Sequence, residues 1–181
     1  MAQTPRMVLD YWFETLTPKD WFMKNEAVDQ DIRDKFLDLH LALSREVSAE
    51  WRADADARLA LILVFDQFPR NLFRDSPHAF ATDGLALKEA RVAVATGLDQ
   101  SVDANRRAFF YMPFEHSERI EDQKRSVELF EALGNENYLS YAKSHYEVID
   151  THGRFPHRNA ILGRENTPAE EDYLAQPGAG F

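Results

Sequence analysis

The sequence predicts an all-α fold. Apolar residues recur three and four positions apart along most of the 181-residue chain, which is the spacing of one face of an α-helix. The one run that could form a buried strand, Leu59 to Phe65, has no second strand-like run with which to pair. We therefore predict about eight helices and no strand, arranged in antiparallel hairpins as an irregular bundle or an array.

The first three predicted helices lie between residues 8 and 67. Helix 8–16 has apolar residues four positions apart and ends at Thr17-Pro18, and helix 25–48 is amphipathic with acidic residues in its first turns. Asp54 or Asp56 caps the third helix, whose Leu and Ala content favours helix over strand. Because Pro69 disfavours a helical conformation at the residue before it, we expect Phe68 to leave the helix.

The remaining five helices are bounded by proline, glycine and capping residues. Ser76-Pro77 is an N-cap followed by a proline in the first turn of a helix that runs to Gly97. A shorter helix, 104–112, ends at Pro113, and helices 118–134 and 138–153 each end at a glycine. Thr167 to Glu170 is a capping box that begins the last helix, which ends near Leu174.

Composition limits the organisation and the partners of the chain. A length of 181 residues suits one domain over residues 1–181. The net charge of −10, from 21 basic and 31 acidic residues, disfavours binding to nucleic acid or to anionic membranes. The absence of cysteine excludes disulfides, thiolate metal sites and cysteine nucleophiles. With no leader-like or membrane-length apolar segment, we expect a cytoplasmic protein.

Two similar polar turns follow predicted helices. The first is Asp66 to Asn71, DQFPRN, and the second is Gly153 to Asn159, GRFPHRN, in a stretch that has three arginines and no acidic residue up to position 164. Arg70, Arg154 and Arg158 could hold a carboxylate or a phosphate, with hydrogen bonds from His157, Asn71 and Asn159. Alternatively, the same side chains bind helix carbonyls and Asp66, Asp75 or Asp83 and only stabilise the turns.

A second polar group lies between two predicted helices. His116 is flanked by Glu115 and Glu118, residue types that could act in acid–base chemistry or bind a metal. The alternative is that Ser117 or Glu118 caps the helix that begins near Arg119.

His145 and His152 share the apolar face of one helix, which favours a packing role for both histidines. The sequence has no dinucleotide, P-loop or nucleophile-elbow motif, and we predict no cofactor and no metal ligands.

Four motifs in order resemble the bacterial family known as domain of unknown function 924. They are LVFDQFPRN, which ends at Asn71, then AFATD, ending at Asp83, then YMPFEHSE, ending at Glu118, and GRFPHRNAILGR, ending at Arg164. The resemblance implies an all-α fold similar to tetratricopeptide superhelices, and it implies no established reaction. The motif residues that it implies are Asp66, Gln67, Arg70, Asn71, Asp83, His116, Glu118, Arg154, His157, Arg158, Asn159 and Arg164.

Two functional hypotheses follow. The first is a pocket for an anionic small molecule, in which His116 and Glu118 are the catalytic pair for hydrolysis or proton transfer and the other motif residues bind the ligand. The second is a helical-repeat scaffold that binds a peptide or protein partner without catalysis. A third possibility is that the motifs only stabilise the fold. The sequence does not predict an oligomeric state.

Overall fold

A computed structural model describes residues 3–180, and every regular element in that range is helical. The described residues form eleven α-helices and several shorter 3₁₀ or π segments, with no strand, so the all-α class is confirmed. Three short helices, at positions 18–22, 68–72 and 159–162, were not predicted because four or five residues are too few to show an apolar period. The tetratricopeptide-like arrangement stays a prediction.

The helices are numbered in chain order. They are α1 (Pro5–Leu9), α2 (Pro18–Phe22), α3 (Glu26–Arg45), α4 (Ala55–Asp66), α5 (Phe68–Leu72), α6 (Asp83–Thr96), α7 (Ala104–Glu115), α8 (Ile120–Leu133), α9 (Glu136–His152), α10 (Asn159–Leu162) and α11 (Pro168–Leu174). No helix within residues 3–180 combines the length and the apolar character needed to cross a membrane.

The described chain divides into two compact units. Unit 1 comprises the residues up to Arg74 together with His78–Pro113, and unit 2 comprises Asp75–Pro77 and the residues from Phe114 onward. Each unit is described below by itself. The prediction of one domain over residues 1–181 stays a prediction.

The core of unit 1 is built around α4. This helix is apolar on every face, and its residues from Leu59 to Phe65 are at most 1% exposed. It packs against α1, α3 and α6, which cover it from several sides. Asp54 caps α4 by accepting a hydrogen bond from the Ala57 N–H at 2.8 Å, which decides between the two predicted caps.

Several predicted helix boundaries were wrong, and proline placement explains most of them. Phe68 does not leave the helical conformation but begins α5, where Pro69 lies in the first turn and its missing N–H costs no hydrogen bond. Pro113 lies inside α7, which continues to Glu115. Ser76-Pro77 leads into a 3₁₀ turn, and α6 begins only at Asp83.

Unit 2 is built on the paired helices α8 and α9. Gly134, with a φ of 75°, ends α8, and Asn135 caps α9 by accepting from the N–H groups of Asn137 and Tyr138. The core on this side consists of Val148, Ile149 and Phe155, with Ile120 and Tyr173 packed against it. The turn after α9, which contains the second polar motif, is therefore anchored at Phe155, a fully buried residue.

Candidate functional site

The first polar turn, in unit 1, is held together by its own charges. Arg70 donates to both carboxylate oxygens of Asp83, at 3.1 and 3.2 Å, and to the backbone carbonyl of Asp66. Its guanidinium also lies 3.5 Å from the Asp66 carboxylate. Burial lowers the pKa of Arg70, but the charges of Asp66 and Asp83 outweigh burial and leave that pKa raised. These are the pairings that the structural alternative predicts.

The amides of this turn are also engaged within unit 1. Gln67 donates to the Asp66 carboxylate at 2.6 Å. Asn71 donates to Asp29 of α3 at 2.8 Å, and Arg74 donates to both oxygens of the same carboxylate. These hydrogen bonds connect the Asp66–Asn71 turn to α3 and to the start of α6. Each of these side chains therefore has a structural role.

An ion pair between Glu118 and Arg164 holds the second polar turn in place within unit 2. Arg164 donates to both oxygens of Glu118, at 2.8 and 2.9 Å, to the Phe155 carbonyl and to the side chain of Asn159. Glu118 also accepts from the Phe155 N–H at 2.8 Å. Burial raises the pKa of Glu118, but the hydrogen bonds from Arg164 and Phe155 and the charges of Arg164 and Arg158 leave it lowered. We call this group the Glu118–Arg164 latch.

Arg154 is paired in a similar way at the edge of α11. It donates to both oxygens of the buried Glu170, at 2.6 and 2.7 Å, and to the Glu165 carbonyl. The hydrogen bond from Arg154, helped by the Thr167 N–H of the predicted capping box, lowers the pKa of Glu170 to about 2. Arg154 and Arg164 are therefore each matched by one carboxylate of unit 2.

A cluster of imidazoles lies beside Phe155 in unit 2. The ring of His145 lies 5.6 Å from that of Phe155 and 6.3 Å from that of His116, and the ring of His157 lies 5.5 Å from that of Phe155. The guanidinium of the buried Arg158 lies over the Phe155 ring at 4.6 Å. We call His116, His145, His157 and Arg158 the imidazole cluster.

The hydrogen bonds of His145 define its neutral tautomer. Its Nδ1 lies 2.8 Å from the Tyr141 carbonyl oxygen and 3.0 Å from an oxygen of Glu115. Because a carbonyl oxygen only accepts, Nδ1 carries the hydrogen and the neutral ring has its lone pair at Nε2. Burial and the positive charge of His116, Arg158 and His157 lower the pKa of His145 to about 3, although the bond to Tyr141 opposes the shift.

His157 is neutral at pH 7 for related reasons. Burial and the charges of Arg158, Arg164 and His116 lower the pKa of His157 to about 4. The negative charge of Glu118 acts in the opposite direction, toward a higher pKa. A neutral imidazole has one N–H donor and one acceptor nitrogen. In the cluster, His145 and His157 are therefore neutral hydrogen-bonding groups beside the permanent positive charge of Arg158.

The sequence predicts His116 and Glu118 as an acid–base pair, but the structure shows other partners for Glu118. Both oxygens of Glu118 accept hydrogen bonds in the latch, and the Nδ1 atom of His145 lies 3.0 Å from an oxygen of Glu115. Neither Ser117 nor Glu118 is the N-cap residue of α8, which is Arg119, although the Ser117 hydroxyl accepts a hydrogen bond from the Arg119 N–H at 3.3 Å. Both of those capping alternatives were wrong.

Glu115 and His145 are the site residues that the motif analysis left out of its functional set. Glu115 is adjacent to His116 in the sequence, which was the only local signal for it. His145 lies on an apolar face of α9, so its spacing indicated packing, and the structure does bury it. Within residues 3–180, no group of three or more His, Cys, Asp or Glu side chains is arranged to hold a metal ion.

Comparison with known proteins identifies the family. The model of a family of bacterial proteins of unknown function, DUF924, matches residues 8–178. The chain belongs to the DUF924 family. It is similar to a solved structure of a protein of unknown function from Agrobacterium tumefaciens, with 43% identity, a TM-score of 0.91, and coverage of 96% of this chain and 97% of that chain. No curated protein matches the chain.

The family membership confirms the resemblance that the four motifs carry. Neither the family description nor the name of the Agrobacterium protein states an activity. The function of this DUF924 chain must therefore be argued from its own side chains.

The Glu118–Arg164 latch should contribute to the stability of the fold. Replacing Arg164 by Gln removes two charge-assisted hydrogen bonds to a half-buried carboxylate, and we expect the free energy of unfolding to fall by about 2 kcal/mol. The control is Arg125→Gln, which breaks an exposed ion pair with Glu128. It should lower the free energy of unfolding by less than about 0.5 kcal/mol. Urea unfolding at pH 7 measures both variants, and equal losses would contradict the latch.

The neutral imidazoles should make stability depend on pH between about 6.5 and 5. In this window an unfolded histidine binds a proton that folded His145 and His157 do not bind, so stability falls as the pH falls. Each such histidine contributes a slope of up to about 1.4 kcal/mol per pH unit. The carboxylates with lowered pKa, such as Glu170, lose their contribution only at lower pH.

Urea unfolding across this pH range tests the expectation. The slope should be smaller in His145→Gln than in the wild type. A slope that is the same in both proteins would show that His145 titrates normally in the folded chain.

Proposed function

We propose that unit 2 of this DUF924 protein binds a small oxyanion, a carboxylate or a phosphate, at the imidazole cluster. The observation that carries the proposal is that His145, His157 and the buried guanidinium of Arg158 converge on Phe155, with the ring of His116 beside that of His145. These groups come from the residue after α7, from α9 and from the turn after α9, so different segments of the chain supply them.

The groups in this cluster have complementary roles in anion recognition. Arg158 supplies a permanent positive charge and planar donors that match a carboxylate or phosphate group. Its guanidinium carbon lies 4.6 Å from the centroid of the Phe155 ring, which is a favourable cation–π contact. His116 and His157 add N–H donors, and imidazoles that are neutral do so without the cost of burying further charges.

Arg70, Arg154 and Arg164 are left out of this proposal because each is paired with carboxylates of its own unit. An incoming anion would have to displace Asp83, Glu170 or Glu118 from these arginines, and breaking such a pair leaves a charge without compensation. Among the arginines of the second turn, Arg158 is the one whose guanidinium lies over the Phe155 ring, at 4.6 Å, beside the imidazoles of the cluster.

The proposal links anion binding to proton uptake. A bound anion favours the protonated form of a nearby imidazole, so it raises the pKa of His145 from about 3 and that of His157 from about 4. His145 is the group suited to proton transfer, because Glu115 and the Tyr141 carbonyl hold its Nδ1–H and leave the basic lone pair at Nε2. Affinity should then increase as the pH falls from 7.5 to 5.5.

Anion titrations test the proposed function. Inorganic phosphate, citrate and acetate are titrated by calorimetry and by thermal unfolding, and at least one should stabilise the wild-type protein, more strongly at pH 5.5 than at pH 7.5. Arg158→Gln should remove this stabilisation, His157→Gln should weaken it, and Arg125→Gln should leave it unchanged.

Histidine NMR signals provide a readout that does not depend on any variant. The bound anion should shift the imidazole resonances of His116, His145 and His157, while His40 and His78 of unit 1 serve as internal controls. If no anion stabilises the wild type more than Arg158→Gln, or if all histidines shift equally, the anion site is excluded and the motifs are structural.

A further inference from the structure

A groove with a volume of about 560 Å³ lies between α9 and α11, within unit 2. Its walls include Glu147, Val148 and His152 from α9 and Asp172 and Tyr173 from α11. The volume is within the range of small-molecule sites, which is about 300–1,000 Å³. None of these residues belongs to the four sequence motifs or to the imidazole cluster, so the groove is a separate feature of the molecule.

The groove has apolar and aromatic surface that is fixed by the core. Val148 is part of the buried core of unit 2, and Tyr173 packs against that core while remaining partly exposed. The ring of His152 lies 5.3 Å from the ring of Tyr173. Aromatic faces anchored in this way bind hydrocarbon chains, and they attract cations through the ring quadrupole.

The charged side chains of the groove are both acidic, and they lie on different helices. Glu147 is on α9 and Asp172 is on α11, and both are exposed. Among residues 3–180, neither side-chain carboxylate has an ion-pair or hydrogen-bond partner. This differs from Glu118 and Glu170, which arginines of the same unit neutralise. The acidic charge of the groove is therefore available to a ligand.

We infer that this groove binds a small organic cation, an amine or a guanidinium on a short hydrocarbon chain. The hydrocarbon chain packs against Val148 and Tyr173, and the cationic head lies between the carboxylates of Glu147 and Asp172. Charge complementarity selects a cation over an anion. The inference does not rest on the anion site, because the two sites use different residues.

The experiment uses agmatine as the probe, because it has a guanidinium and an amine on a four-carbon chain. Binding to the full chain is measured by calorimetry and by the NMR shift of His152. The double variant Glu147→Gln with Asp172→Asn should weaken agmatine binding about tenfold, as expected for the loss of two exposed charge contacts. Pentanol, an uncharged chain, should bind the wild type much more weakly than agmatine.

A charge-matched control separates a site from general attraction to an acidic protein. Asp150→Asn with Glu171→Gln removes two exposed carboxylates from the same two helices, but these residues do not line the groove. This control should retain wild-type affinity.

Three outcomes would overturn the inference. They are an absence of agmatine binding to the wild type, an equal loss of affinity in both double variants, and binding of a lysine-rich peptide without binding of agmatine. The first would leave the groove without a cationic ligand of this class. The second would mean that net charge alone attracts the probe, and the third would make the face a protein-docking surface.

Discussion

The pairing of arginines with carboxylates is the interaction on which the motif turns of this chain depend. A guanidinium that is taken partly out of water must find a negative partner, or the turn that carries it is destabilised. Asp83 meets this requirement for Arg70 in unit 1, and Glu118 meets it for Arg164 in unit 2. The first role of the polar motifs in this all-helical fold is therefore to hold the segments that connect the helices in place.

The imidazole cluster, which carries the proposed function, lies in unit 2. Arg158 is buried beside Phe155, and its charge and the surrounding burial keep His145 and His157 neutral. A permanent cation beside neutral donors suits an oxyanion better than it suits a metal or a cationic ligand. The same unit has a groove between α9 and α11 with Glu147 and Asp172 in its walls, so the two proposed sites differ in the charge of the ligand that they would bind.

Local signals in the sequence were sufficient for most of the fold. Gly97, Gly134 and Gly153 each adopt a positive φ at a helix end, and the capping box of Thr167 forms as its spacing predicts. The exceptions lie at prolines. The helix before Pro69 ends at Asp66, close to the predicted Gln67, but Phe68 stays helical because a proline is tolerated in the first turn of α5. Pro113 was interpreted as a helix end, but α7 continues past it to Glu115.

The candidate site was less predictable because its contacts are distant in the sequence. Glu118 and Arg164 are 46 residues apart, and no local pattern specifies which arginine a given carboxylate meets. A latch and a ligand pocket require the same residue types, so the motifs alone could not separate the two. His145 illustrates the difficulty, because its place on an apolar face indicated packing while its proximity to Glu115 depends on how α7 and α9 fold.

The most direct test of this account is the protonation state of His145 at pH 7, measured from the ¹⁵N shifts of its ring nitrogens. The account predicts a neutral ring with the hydrogen on Nδ1, bonded to the Tyr141 carbonyl and Glu115, and a lone pair on Nε2. A ring that is protonated on both nitrogens, or a neutral ring with its hydrogen on Nε2, would contradict the arrangement on which the imidazole cluster depends.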